Sequence, residues 1–293
     1  FRPAFQRIQA LSHAFPEAAW GCFTATATRE VLKDVASQMP GTATVYAAPM
    51  RRSNLAFQVS RWGDRDVELL RWVQTKPGKG LVYVRTRHEA QRWGTRLQQA
   101  GMRAEGYHAG LSPRTKDKLQ RQWQDGELQV LACTSAFGMG IDKADVRYVF
   151  HTDLPSTLEA YYQEIGRAGR DGEPAEAQML YGLRDIRMRR LFIEQEDCAN
   201  DRKRREHKKL DALLGFCEAP ECRKRTLLDY FGEQSTACGN CDLCLNPTAL
   251  IDGTEDAKLL FRVIRRTGMI YGVTHLIDIL RGTNTEKVLK AGH

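Results

Sequence analysis

The chain has 293 residues, enough for about two domains, and 42% of them are hydrophobic, enough for packed cores. Its net charge of +8 favours a polyanionic partner, nucleic acid first among them. No apolar run approaches the roughly 20 residues of a membrane span, and the start, FRPAFQRIQAL, lacks the charged head and apolar stretch of a signal peptide, so no membrane partner is expected.

Phe5, Ile8, Leu11 and Phe15 recur at helical spacing and predict an amphipathic helix that Pro16 ends. A short buried strand is expected over 19–23. Thr24-Ala25-Thr26-Ala27-Thr28 then reads as a hydroxyl-rich loop capping a helix over 29–39. From residue 54 strands and helices alternate. Strand 54–62 is followed by helix 64–75, strand 81–84, helix 88–100 and strand 103–107. Helix 113–124 has Ser112 as its cap and Pro113 in its first turn. Strands 130–133 and 148–151, helix 157–165, a closing strand 177–181 and helix 183–196 complete the series. This alternation predicts an α/β fold with a parallel sheet. Such sheets bind ligands in the loops at the carboxyl ends of their strands. Arg87, His108, Thr134 and Ser135 fall in such loops. His108 reads equally as a ligand contact or as a structural hydrogen-bonder. Gly138 and Gly140 let backbone come close to a phosphate.

Arg167 and Arg170 follow, with Gly166 and Gly169 beside them. A helix through this segment would put both guanidiniums on one face. Their planar forks suit phosphate oxygens and the charge of a transferring phosphoryl group. A lone pair of arginines at this spacing would read as a solvated basic turn. After residue 200 the composition shifts. The run from Asp201 to Lys209 is densely basic and leads into Leu210, Leu213, Leu214 and Phe216 on one helical face. Most of that basic side is expected to be solvated, with two or three residues near a nucleic-acid backbone. Cys222, Cys238, Cys241 and Cys244 give C-x15-C-x2-C-x2-C, the soft ligand set of a structural zinc ion, with Gly239 and Asn240 making the turn. Cys217 competes with Cys222 for the first place. Metal rather than disulfides points to a reducing compartment. Cys22, Cys133 and Cys198 read as small buried apolar residues. Helices over 254–266 and 272–280 end the chain, the second leading into Arg281-Gly282-Thr283-Asn284.

Gln163-Glu164-Ile165-Gly166-Arg167-Ala168-Gly169-Arg170-Asp171-Gly172 resembles motif VI of superfamily 2 helicases in the form used by RecQ DNA helicases. Ala136-Phe137-Gly138-Met139-Gly140-Ile141-Asp142-Lys143 resembles their motif V. Tyr107-His108-Ala109-Gly110-Leu111 and Phe23-Thr24-Ala25-Thr26-Ala27 match further blocks in the expected order. The resemblance implies a RecA-like parallel-sheet motor lobe, then a helical zinc-binding subdomain and the start of a winged helix. It sets the divisions at 1–48 for the end of a first lobe, 49–190 for the second lobe, 191–250 for the zinc subdomain and 251–293 for an incomplete winged helix. It implies catalytic roles for Arg167, Arg170 and Gln163, and nucleic-acid contacts for Arg87, His108, Thr134, Ser135 and Thr24. Arg87 remains open to a surface salt bridge instead. Cys222 becomes the first zinc ligand. Phe1 and Arg2 resemble the end of an aromatic-rich loop that links DNA binding to hydrolysis.

The implied activity is ATP-dependent 3′–5′ DNA unwinding in repair and recombination, by a monomer acting on single-stranded and duplex DNA at the nucleoid or in the nucleus. ATP and Mg2+ need a G-x-x-x-x-G-K-[ST] loop and an Asp-Glu pair, and these residues hold neither. The chain therefore reads as part of a longer protein, inactive alone. The rival reading is a non-catalytic DNA-binding or regulatory module, which the missing phosphate loop favours and the complete GRAGRDG segment opposes.

Overall fold

The computed structural model describes residues 11, 14–15, 17–39, 42–61, 63–137, 143–283 and 285–290. Most of the helix expected at the start lies outside them, as do Phe1, Arg2, Trp62, Asn284 and the stretch Gly138 to Asp142. Two compact units divide the chain, Phe1–Pro247 and Thr248–His293.

The first unit is built on a six-stranded, all-parallel sheet of order β1-β6-β5-β2-β4-β3. The strands are β1 Leu55–Arg61, β2 Lys79–Tyr83, β3 Ala104–Tyr107, β4 Val130–Cys133, β5 Val146–His151 and β6 Ala175–Tyr181. The last strand does not close an edge; it slots between β1 and β5. Short, wholly apolar strands such as Val-Leu-Ala-Cys mark a sheet covered on both faces. Alternation along β2 shows it: Leu81 and Tyr83 enter one core, Val82 and Val84 the other.

Helices α2 (Arg65–Gln74) and α3 (Arg87–Gln99) cover one face with Leu69, Val73, Trp93 and Leu97. There α3 lies directly on β3. A Cβ on Gly94 would come within 2.5 Å of the Gly106 nitrogen, and one on Gly106 within 2.6 Å of the Ala90 carbonyl. The opposite face is covered by α4 (Pro113–Gln124), α5 (Leu158–Ile165), α7 (Asn200–Cys217) and α8 (Arg223–Tyr230) through Trp123, Tyr161, Ile165, Leu213, Phe216 and Leu227. Each such side chain, fully buried, contributes about 1.5–3 kcal/mol. Between α5 and α7 runs α6 (Leu183–Gln195).

Ahead of the sheet, α1 (Arg29–Gln38) forms as expected, its first turn capped by the Thr28 hydroxyl, which accepts from the Val31 N–H (3.4 Å). The strand expected over 19–23 does not form, and Phe23 is 99% exposed. A strand needs a neighbour to take up its backbone groups, and the six described strands bond only to one another. Cys22 is likewise exposed and Cys198 half-buried; of the three cysteines expected inside, Cys133 is buried.

The second unit holds α10 (Thr254–Arg266), α11 (Val273–Leu280) and α12 (Glu286–Lys290). Val288 is buried, while Leu259, Phe261, Ile270 and Val273 are exposed. No described helix of the chain is long and apolar enough to cross a membrane.

Candidate functional site

Strands β2, β4 and β3 are neighbours, so their carboxyl-end loops share one rim of the sheet. Arg87 stands on this rim as the first residue of α3, behind the cap Thr86, rather than in a loop. Arg87 and His108 flank Gly110: a Cβ there would sit 3.2 Å from both Arg87 Nη1 and His108 Nδ1. Burial, then the charges of Arg87 and Lys116, hold the His108 imidazole below its ordinary value. Lys116 leans on the same loop and donates to the Ala109 carbonyl (2.7 Å). Thr134 and Ser135 follow β4; Thr134 donates its N–H to the Tyr107 carbonyl (3.2 Å), and Ser135 is exposed. Thr24 lies apart in the capping loop before α1, where its hydroxyl donates to the Thr26 carbonyl (2.9 Å).

That capping loop meets α5. Gln163 Nε2 donates to Thr26 Oγ1 at 2.8 Å, across 137 residues of chain. Past Gln163 the helix ends at Ile165, and residues 166–171 form a turn of i→i+3 bonds, with Gly169 at φ +60°. The shared helical face conditional on a helix there is therefore absent. A left-handed residue breaks the helical path, and a Cβ on Gly169 would strike Asn54 at 2.5 Å. Arg52 and Asn54 lock the turn, donating to the Ala168 and Gly169 carbonyls at 2.6–2.9 Å, and the Gly169 N–H bonds Val146 at the head of β5 (2.8 Å). The two arginines part company. Arg167 is half-buried and acts on the buried Tyr83 and Cys133, whereas Arg170 is exposed. Arg147 pairs with Asp171 and holds that carboxyl below the usual carboxylate range.

The third cluster is the four cysteines. Cys222 caps α8, Gly239 turns the chain at φ +75°, and Cys241 caps the short α9 (Asp242–Leu245), which carries Cys244. All four sulfurs lie within 4.8 Å of one another. Four thiolates about 2.3 Å from one zinc ion stand about 3.8 Å apart; Cys238 and Cys244 are separated by 3.9 Å. The set therefore fits a structural zinc ion, and Cys217 is outside it, its buried thiol pushed up to about 12. Burial also pushes the Cys241 thiol up, whereas at Cys244, against the effect of burial, hydrogen bonds from the Gly239 backbone and the neighbouring cysteines bring the thiol down to about 7.

Arg223, Lys224 and Asp242 belong to the segments that resemble the RecQ zinc-binding module, but their partners are not legible in the sequence. Arg223 is 5% exposed and clamps Asp242 through Nε and Nη2 at 3.0–3.2 Å, while its Nη1 donates to the Phe216 and Cys217 carbonyls. Asp242 accepts in turn from the Val59 N–H of β1 (3.1 Å). Lys224, 3% exposed, donates to the Arg52 carbonyl at 2.7 Å, so one segment fixes both the zinc turn and the residue that locks the arginine turn. Arg223→Ala would leave the half-buried Asp242 carboxylate without its partner and is expected to cost up to about 3–5 kcal/mol; a lower denaturant midpoint with zinc still bound checks it. On the rim, buried Asp153 pairs with Arg65, and Arg85 reaches both Asp153 and Asp185 at 3.9 Å. Much of the basic run on α7 is engaged at home: Lys203 and His207 both bond Glu194 of α6.

Fold and site together give a RecA-like parallel-sheet lobe joined to a helical module whose four cysteines fit a zinc ion. Three family matches tile the chain in that order: helicase conserved C-terminal domain at 65–172, RecQ zinc-binding at 183–245, and RQC domain at 247–293. The ATP-dependent DNA helicase RecQ of Haemophilus influenzae is 35% identical over the whole chain and 48% of its own length. That of Bacillus subtilis is 37% identical over the whole chain and 50% of its own length. The chain belongs to the RecQ family. It spans about half the length of these relatives. Among solved structures, S. cerevisiae Dbp5 bound to RNA and ADP BeF3 shares the fold, with a TM-score of 0.54 at 17% identity, covering 89% of this chain and 59% of that one.

Proposed function

We propose that these residues form the arginine-bearing side of an ATP-dependent DNA helicase that unwinds duplexes 3′ to 5′ in repair and recombination, working as a monomer. The observation that carries this reading is the bond from Gln163 to Thr26, which joins the segment holding Arg167 and Arg170 to the Thr-Ala-Thr loop. A nucleotide bound between two lobes would feel both: the loop from one side, the arginine forks from the other. The forks meet charge as it develops on the transferring phosphoryl group, so they speed turnover more than they tighten binding. ATP and Mg2+ would be held by a phosphate loop and an acidic pair on the first lobe.

In this reading residues 1–48 end the first lobe, 49–190 are the second, 191–250 the zinc subdomain, and 251–293 begin a winged helix that grips duplex DNA. Arg87, His108, Thr134 and Ser135 line the path of single-stranded DNA along the sheet rim, and Thr24 meets the strand from the first-lobe side. The zinc ion fixes the subdomain and takes no part in the chemistry.

The test is strand displacement by the full-length protein on duplexes with a single 3′ or 5′ tail. ATP-dependent opening of the 3′-tailed duplex alone is expected. DNA binding without any ATP-dependent opening would favour the non-catalytic module.

A further inference from the structure

Resting on the reading of Arg167 as a nucleotide residue and of the loop after β4 as a DNA contact, we propose that Tyr83 is a positioning residue that couples the two. Tyr83 ends β2 and is 4% exposed. Its hydroxyl donates to the Phe137 carbonyl at 3.3 Å, and its ring stacks on His151, which bonds Glu164. One buried side chain therefore stands between the loop of Thr134 and Ser135 and the segment that carries Arg167.

The surroundings make this a rigid link. Phe137 is 1% exposed, with its ring edge-on to Tyr107 at 4.7 Å and Trp123 at 6.3 Å, so its carbonyl is anchored to the core. On its other side, Tyr83 stacks flat over His151 (5.1 Å, 13°). His151 is 1% exposed, and its Nε2 bonds Glu164 Oε2 at 2.8 Å. Glu164 stands three residues before Arg167 and accepts the Arg167 N–H at its own carbonyl (3.3 Å). The Arg167 backbone is thus held by the residue that His151 grips, and Tyr83 packs flat on that His151. A buried network with two fixed ends passes on a displacement at either end, because packed cores do not deform smoothly. Burial pushes the Tyr83 phenol up, so it keeps its proton and remains a donor at neutral pH.

Tyr83→Phe keeps the ring, its stacking on His151 and its packing, and deletes only the hydroxyl that holds the Phe137 carbonyl. In the full-length protein, the ratio of DNA-stimulated to DNA-free ATP turnover is expected to fall about tenfold, within the span of ordinary couplings between sites. DNA affinity and thermal midpoint should hold. Combined with Arg167→Lys, the losses should be less than additive. A normal stimulation ratio in Tyr83→Phe, with Arg170→Ala inactive, would overturn the coupling and leave the arginine site standing. Normal turnover in Arg170→Ala would instead remove the site itself. Should Tyr83→Phe lower the thermal midpoint, Glu164→Gln, acting on the same set through His151, must show the same loss of stimulation; a normal ratio there would also overturn the proposal.

Discussion

Replacing Arg170 by alanine is expected to cut DNA-stimulated ATP turnover of the full-length protein on the order of 10³-fold or more, the range lost with an arginine that meets a transferring phosphoryl group. DNA affinity should stay within about twofold of the parent. The reason is geometric. The turn is set by Arg52, Asn54 and the left-handed Gly169, none of which depends on the Arg170 side chain. The exposed guanidinium adds a long bond to the Gly166 carbonyl of the same turn (3.4 Å), and its removal leaves the Arg52 and Asn54 bonds in place. Arg170→Lys should fall between, since it keeps the charge and loses the planar fork. Steady-state turnover with DNA titrations separates the two effects. A loss of DNA binding in step with turnover would place Arg170 on the nucleic acid instead.

The second large effect is at the zinc cluster. Cys241→Ser is expected to abolish zinc binding and to unfold the segment around α8 and α9. Structural zinc sites contribute about 10–16 kcal/mol at neutral pH, far more than a segment this small gains from packing. Cys241 is wholly buried, and its sulfur lies within 4.8 Å of the other three. Because Lys224 of the same segment reaches the Arg52 carbonyl, the damage should extend to the arginine turn and depress turnover. Metal analysis and limited proteolysis check this, with Cys217→Ser as the control that keeps its zinc. A folded, metal-free Cys241→Ser protein would contradict it.

Much of this architecture was legible in the sequence because its signals are local. The apolar runs Val130 to Cys133 and Leu81 to Val84 announce buried strands, and Ser112 with Pro113 announces the start of α4. The spacing of Cys222, Cys238, Cys241 and Cys244 is enough by itself to mark a four-thiolate site. What was not legible depends on distant partners. The segment over 19–23 has strand composition, but a strand exists only where a neighbour accepts its backbone. Arg167 and Arg170 share a helical spacing, yet Gly169 turns left-handed against Asn54, and the two part. Arg223, Lys224, Asp153 and Asp185 look like ordinary surface charges until the fold buries them. Their roles follow from which carbonyls and carboxylates the fold brings near. The resemblance alone gave Thr24 a nucleic-acid contact, whereas the bond from Gln163 to Thr26, which joins residues 137 positions apart, had no signal in the sequence.

The most direct test of a nucleotide site shared between two lobes is ATP hydrolysis by these 293 residues alone, and by the same residues joined to a lobe carrying a phosphate loop, each with and without single-stranded DNA. No turnover alone and DNA-stimulated turnover when joined is the expected pair of results. DNA-stimulated turnover by the 293 residues alone would contradict the account, because a complete nucleotide site would then lie within residues assigned here only its arginine side.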